Sequence, residues 1–187
     1  MNLPNKLTLL RILLVPFFLF FMLTDFVPHT YLWALIIFAV ASYTDLLDGK
    51  LARKNGLVTD FGKLMDPLAD KILVAAALIS FIKLDSIPCV IVIIVIFREF
   101  LVTSLRLIAV EKGKVIAADI WGKAKTVFQI CSIIWVLVAL EVDYIGWLPE
   151  AFPLTLITTI IMWIMAALTV ISGANYIIKN RNLIENM

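Results

Sequence analysis

The chain has 187 residues, 63% of them hydrophobic, and a formal net charge of +2 at neutral pH. A soluble domain is closer to half apolar, and here the excess lies in long runs, so the composition excludes an ordinary water-soluble domain and predicts an integral membrane protein. No Pro-, Gly- or Ser-rich linker divides the sequence, so we expect residues 1–187 to form a single membrane domain.

Six apolar runs each approach the ~20 residues that a helix needs to cross a bilayer. They predict an all-α, polytopic protein with six transmembrane helices. The predicted spans cover about residues 7–23, 31–51, 61–81, 88–110, 119–140 and 154–178. The single histidine, His29, falls in the first short loop, where we expect it to be solvated.

The distribution of basic residues predicts the orientation. An even number of spans places both termini on one side, and that side collects nearly all of the lysines and arginines outside the spans. The opposite loops contain one basic residue, Lys83, and five acidic ones: Asp25, Asp85, Glu141, Asp143 and Glu150. Because cytoplasmic loops are enriched in Lys and Arg, both termini are expected to be cytoplasmic, in the cell membrane.

The stretch DLLDGKLARKNGLVTDFGKLMDPLAD, residues 45–70, is the most polar part of the chain. Its aspartates come in two pairs, Asp45 with Asp48 and Asp66 with Asp70, at spacings that place each pair on one helix face. If spans two and three are antiparallel neighbours, four carboxylates meet at the cytoplasmic boundary. Hard cations stabilise such a group of carboxylates, which otherwise repel one another. Four carboxylates can hold two such cations, an arrangement used for phosphoryl transfer.

Three further residues of this stretch suit a phosphate-bearing substrate. Gly49 and Gly62 leave room for a ligand close to the backbone. Arg53, one helical turn after Gly49, offers a bidentate fork to phosphate. Ordinary solvated charges at helix ends would explain any one of these residues, but not the whole pattern.

The complete pattern is D-x2-D-G-x2-A-R-x8-G-x3-D-x3-D, and the chain matches it at every fixed position. It resembles the signature of the CDP-alcohol phosphatidyltransferase family. Three other stretches, NLPNKLTLLRILLVP, FREFLVTSLRLIAVEKG and GKAKTVFQ, look like the bacterial branch that uses glycerol 3-phosphate, the phosphatidylglycerophosphate synthases. The resemblance covers roughly residues 2–130.

The resemblance implies transfer of a phosphatidyl group from CDP-diacylglycerol to glycerol 3-phosphate, with release of CMP, at the cytoplasmic face. It assigns two divalent cations, Mg²⁺ or Mn²⁺, to Asp45, Asp48, Asp66 and Asp70, with Asp45 and Asp66 bridging them. It also makes Asp70 the general base. The residues expected to bind CDP-diacylglycerol are Thr8, Arg11, Gly49, Arg53, Thr59 and Gly62. Membrane lipids and a second copy of the chain are the expected partners, and no nucleic acid is expected.

A glycerol 3-phosphate acceptor needs a second cationic pocket. The segment between spans four and five carries several basic residues on the side of the aspartates. The candidates for the acceptor phosphate are Arg106 and Lys123, with Lys125 and Thr126 behind them. Basic residues at a cytoplasmic edge also set topology or bind anionic lipid, so that interpretation stays open for each of them.

Arg98 and Glu99 lie well inside span four, where charged residues are usually functional or paired. As sequence neighbours they point about 100° apart on one helix and need not pair with each other. They could face a dimer partner, or Arg98 could reach toward the substrate cavity. Tyr176, near the end of span six, is expected to be an interfacial anchor.

Two other functions remain open. The same chemistry with inositol phosphate, serine or phosphatidylglycerol as acceptor would use the same aspartates. A non-enzymatic cation transporter would use them as a pathway, although they gather at one face of the membrane and do not line a route across it.

Overall fold

The computed structural model describes the backbone of residues 3–24, 26–55, 60–111, 113, 119–149 and 151–181. Within the helices it leaves out the side chains of residues 3–4, 45–55, 60–64, 66–67, 70 and 111. The described part is all-helical, which confirms the predicted class. Its six helices are α1 (Leu3–Leu23), α2 (Thr30–Asn55), α3 (Asp60–Lys83), α4 (Cys89–Glu111), α5 (Ile120–Ile145) and α6 (Leu154–Lys179).

Three of these helices contain stretches long and apolar enough to cross a membrane: Asn5–Leu23, Ile120–Ile145 and Leu154–Lys179. The other three helices combine apolar runs with charged residues. Pro16 lies inside α1, which such helices tolerate because neighbouring groups satisfy the backbone carbonyl that proline leaves without a donor. Large apolar side chains are exposed on all six helices.

The helices pack as two groups of three. In the first group α1 lies against both α2 and α3, and in the second α6 lies against both α4 and α5. Contacts of α2 with α5 and of α3 with α4 join the groups. The interior contains fully buried aromatic side chains, including Phe18 of α1 and Phe38 of α2, whose ring centroids lie 6.0 Å apart. Because lipid is as apolar as the side chains, close packing of this kind, rather than exclusion from water, holds the helices together.

A polar contact joins α5 to the start of α2. Glu141 is buried, and its Oε2 accepts a hydrogen bond from the Leu32 backbone N–H at 3.0 Å. Its Oε1 lies 2.6 Å from His29 Nδ1. The expectation for His29 was therefore incomplete: the ring is about half exposed but is tied to a carboxylate 112 positions away. The Leu32 N–H also donates to the His29 carbonyl at 3.1 Å, so it is shared between two acceptors, and the contact with Glu141 ties the first turn of α2 to α5.

We predict that Glu141→Ala lowers the free energy of unfolding by about 1–3 kcal/mol, because the Leu32 N–H and His29 lose the acceptor that they share. Thermal unfolding of the purified protein in detergent measures this loss. Asp143→Ala, which removes an exposed carboxylate two residues later, is the control and should have little effect. Equal melting temperatures for wild type and Glu141→Ala would contradict the prediction.

Candidate functional site

The aspartate pairs lie where α2 ends and α3 begins. Both helices are continuous through these positions, so the i,i+3 spacing of Asp45 and Asp48 places their Cβ atoms on one face of α2. The i,i+4 spacing of Asp66 and Asp70 does the same on α3. The side chains of the four aspartates lie outside the described residues. The side chains of Lys50, Arg53 and the residues around Gly62 also lie outside them. Thr59 lies wholly outside the described part.

The N-terminal half of α1 presents a buried polar stripe toward α2 and α3. Arg11 is only 1% exposed, and Thr8 and Asn5 are also buried. The three residues recur every third position, so they share one side of the helix. Each of them takes part in a polar or electrostatic contact. Thr8 and Arg11 are thus placed in the interior, and Asn5 is a further member of the stripe that the sequence analysis missed, although its spacing could have indicated it.

A cluster of charged side chains lies between α3, α4 and α5. Lys125 of α5 is 2% exposed, and its Nζ donates a hydrogen bond to Glu99 Oε1 on α4. The same carboxylate oxygen lies 3.3 Å from Arg98 NH1. Lys71 of α3 donates to Thr103 Oγ1, and the Thr103 hydroxyl donates to the Glu99 backbone carbonyl at 2.7 Å. We call Lys71, Arg98, Glu99, Thr103 and Lys125 the interior charge cluster.

Arg98 connects this cluster to α6. Its NH2 donates to Ser172 Oγ at 2.8 Å. A Cβ atom at Gly173 would lie 3.2 Å from Arg98 Cγ, so the absence of a side chain there makes room for the arginine. The structure places Arg98 in the interior of its own chain, among α4, α5 and α6. It also brings Arg98 within reach of Glu99, a contact that helix geometry alone did not require.

The four acceptor candidates do not share one face. Lys125 points into the interior, whereas Lys123 and Thr126 are exposed. The Thr126 hydroxyl donates a hydrogen bond to the Gly122 carbonyl at 3.0 Å. Arg106 is also exposed, and its guanidinium carbon lies 5.8 Å from the centroid of the Tyr176 ring. Their assignment to the acceptor phosphate stays a prediction. Lys125 is the one of the four that is buried, and Arg106 lies over the buried Tyr176 ring.

The expectation that Tyr176 is an interfacial anchor is wrong. Tyr176 is buried rather than displayed at the membrane surface, and its hydroxyl has no hydrogen-bond partner among the described residues. The sequence could not indicate this burial, because a tyrosine near the end of a membrane helix is typical of an interfacial anchor. The burial follows from the packing of α6 against α4.

Asp119 caps the N-terminus of α5 and ties it to the end of α6. One carboxylate oxygen accepts from the Ile120 N–H at 2.9 Å. The other accepts from Lys179 Nζ at 3.0 Å and from Asn175 Nδ2. The hydrogen bond from Lys179 is the main reason that the pKa of Asp119 lies below its ordinary value of 3.8.

Comparison with known proteins gives these features a context. The family model described as CDP-alcohol phosphatidyltransferase matches residues 1–171, nearly the whole chain. The chain belongs to the CDP-alcohol phosphatidyltransferase family. The stretch from Asp45 to Asp70 lies within the matched region.

Curated relatives in this family match along almost their full length. The chain is 43% identical to a CDP-diacylglycerol–glycerol-3-phosphate 3-phosphatidyltransferase from Bacillus subtilis, covering 96% of this chain and 95% of the relative. It is 38% identical to a protein of the same name from Rickettsia bellii, covering 94% and 93%. A probable phosphatidylglycerophosphate synthase from Mycobacterium tuberculosis is 39% identical over 95% of this chain and 81% of its own.

The Asp119 contacts predict a pH-dependent contribution to stability. Because the folded-state pKa is lowered, the stabilisation is complete above the unfolded-state pKa and is lost as the pH falls through the folded-state pKa. Asp119→Asn should therefore melt at a lower temperature than wild type at pH 7, and the difference should shrink below about pH 4. Thermal unfolding between pH 7 and pH 3 measures the difference, with Asp85→Asn, an exposed position at the opposite helix ends, as the control. A difference that is constant over this range would contradict the assigned role.

Proposed function

We propose that this protein transfers the phosphatidyl group of CDP-diacylglycerol to sn-glycerol 3-phosphate, producing phosphatidylglycerophosphate and CMP in phosphatidylglycerol biosynthesis. The observation that carries the proposal is the similarity, over nearly the whole chain, to family members named for this reaction. The intact signature from Asp45 to Asp70 supports it, since the residues of the family pattern are all present.

We propose that all six helices cross the cell membrane with both termini in the cytoplasm. Their lengths, 21 to 26 residues, correspond to about 32–39 Å of helix, enough for a ~30 Å hydrocarbon core. The excess of lysine and arginine at one set of helix ends supports the orientation. In this arrangement the aspartates lie at the cytoplasmic boundary, within reach of soluble glycerol 3-phosphate, while the acyl chains of the donor stay in the bilayer.

The donor set fits two divalent cations, Mg²⁺ or Mn²⁺. Carboxylate oxygens are the ligands that these ions prefer, and the helical backbone at Asp45, Asp48, Asp66 and Asp70 gives each pair a common face. When bound, the cations would neutralise the diphosphate of the donor and the charge that develops on departing CMP. The four aspartates, all present in the family pattern, are the ligands that we propose.

The protein's own residues bind and orient the two substrates. Asp70 takes the proton from the acceptor hydroxyl, which then attacks the phosphorus that bears diacylglycerol, in line with CMP. Gly49 and Gly62 allow the CDP group to approach the backbone. Arg53 and Thr59 contact that group. Thr8 and Arg11, buried on the face of α1 that packs toward α2 and α3, complete the CDP pocket.

We place the acceptor phosphate against the cationic groups between α4, α5 and α6. Arg106 and Lys125 are the first candidates, because Lys125 is held in the interior and Arg106 lies over the buried Tyr176. Lys123 and Thr126, on the exposed part of α5, are proposed as outer contacts. The chain is proposed to act as a homodimer, surrounded by membrane lipids.

We predict that Asp70→Asn reduces turnover by at least about 100-fold, because loss of a general base costs about that much before any loss of a cation ligand. Binding of CDP-diacylglycerol should be at least partly retained. CMP release and donor binding, measured on the same purified sample, separate the two effects. Full activity in Asp70→Asn would remove its assignment as base.

We predict that CMP release from CDP-diacylglycerol requires glycerol 3-phosphate and a divalent cation. The purified protein is assayed with glycerol 3-phosphate, inositol phosphate, serine or phosphatidylglycerol, each with Mg²⁺ and with EDTA. Metal-dependent release with glycerol 3-phosphate alone is the expected result. Release with a different acceptor would preserve the aspartate chemistry and overturn the proposed substrate. No release from folded protein with any acceptor would overturn the enzymatic function.

A further inference from the structure

Glu99 is the one carboxylate of the interior charge cluster, and it is surrounded by cations. Its Oε1 accepts from Lys125 Nζ and lies 3.3 Å from Arg98 NH1. The positive charge of Lys71 also acts on it from α3. A carboxylate near the middle of α4 therefore holds together cationic side chains from three helices.

Removing Glu99 would leave two buried cations side by side. Lys125 is almost completely buried, and an ammonium group that is out of water and without a counter-charge is strongly destabilised. Like charges at short range repel, and more so inside a protein than in water. The glutamate thus supplies a counter-charge to the Lys125 ammonium and fixes its direction, while Ser172 accepts a hydrogen bond from Arg98 NH2.

The cluster still has an excess of positive charge. Two cationic side chains, Lys125 and Arg98, contact the single Glu99 carboxylate, so the positive charge that remains can attract a dianionic phosphate. Glu99 itself would repel that phosphate, so its effect on the acceptor must be indirect, through the direction of the Lys125 ammonium.

The backbone of Glu99 extends the same connection to α3. Its carbonyl accepts from the Thr103 hydroxyl, which in turn accepts from Lys71, the residue that follows Asp70. One helical turn of α4 therefore joins the α5 lysine to the helix that carries the proposed base.

We propose that Glu99 is a positioning residue for the acceptor: it holds the Lys125 ammonium, with the Arg98 guanidinium beside it, where the phosphate of glycerol 3-phosphate binds. This inference rests on the proposed function, since it assigns Lys125 to the acceptor. It adds a group that does not contact either substrate but governs selectively how well the second one binds.

The experiment measures CMP release by wild type, Glu99→Gln, Glu99→Asp, Lys125→Met and the double variant Glu99→Gln/Lys125→Met. Glu99→Gln should raise KM for glycerol 3-phosphate about 10-fold or more, the size expected for a coupled pair of contacting charges, and should change KM for CDP-diacylglycerol less than about 2-fold. Glu99→Asp keeps the charge on a shorter side chain and should give a smaller increase, which makes it the deciding variant if Glu99→Gln does not fold.

The double variant separates positioning from an independent effect. If Glu99 acts through Lys125, Glu99→Gln should add little to the loss already caused by Lys125→Met. Glu141→Gln is the matched control, because it neutralises the buried carboxylate at the opposite end of the same helix as Lys125. It should alter the melting temperature without a selective change in KM for the acceptor.

Three results would overturn the proposal. Unchanged KM for glycerol 3-phosphate in Glu99→Gln or Glu99→Asp would do so, as would equal losses toward both substrates together with a lowered melting temperature. Additive losses in the double variant would also exclude action through Lys125. If wild type releases no CMP with glycerol 3-phosphate, the proposed function itself fails. If wild type releases CMP with glycerol 3-phosphate, the results for the variants test only the role of Glu99.

Discussion

The contact between Glu99 and Lys125 imposes the strongest constraint on this bundle. Neither group can be left alone among apolar helices, because an ionised side chain away from water needs an opposite charge or hydrogen bonds. Satisfying both requires α4 and α5 to be rotated so that these faces meet. Arg98 then reaches α6 through Ser172, and Lys71 reaches α4 through Thr103. The relative placement of four helices is thereby linked to one partly buried carboxylate.

The first three helices are organised around a different surface. α1 packs on α2 and α3, and its inward side changes along its length from polar residues, Asn5 to Arg11, to apolar ones such as Phe18. The polar half lies toward the ends of α2 and α3 that carry the aspartates, whereas the apolar half packs against the middle of the bundle. A single helix therefore contributes both to the interior packing and to the proposed CDP pocket.

Polar contacts at the ends of the helices complete the arrangement. Asp119 joins the start of α5 to the end of α6, and Glu141 joins the end of α5 to the start of α2. Both carboxylates accept from a backbone N–H group in the first turn of a helix, and both also bind a basic side chain from a distant part of the chain. They fix α5 at each end, and α5 is the helix that brings Lys125 to the interior.

The sequence by itself determined the number and approximate bounds of the helices, because hydrophobicity and turn formers act over neighbouring residues. The helices found from Leu3 to Lys179 follow the six apolar runs closely. The sequence also placed each aspartate pair on one helix face, since the spacing and the helical repeat suffice for that. The family signature, from Asp45 to Asp70, is likewise a property of the sequence.

Only the tertiary structure decided which charged residues meet. The positions of Glu99 and Lys125 in the sequence give the direction of each side chain on its own helix, but not the neighbour that each helix turns toward it. For the same reason the sequence could not show that Tyr176 is buried, that Lys125 rather than Lys123 points inward, or that His29 contacts Glu141. These contacts join residues that are far apart along the chain, and helix packing, not local preference, brings them together.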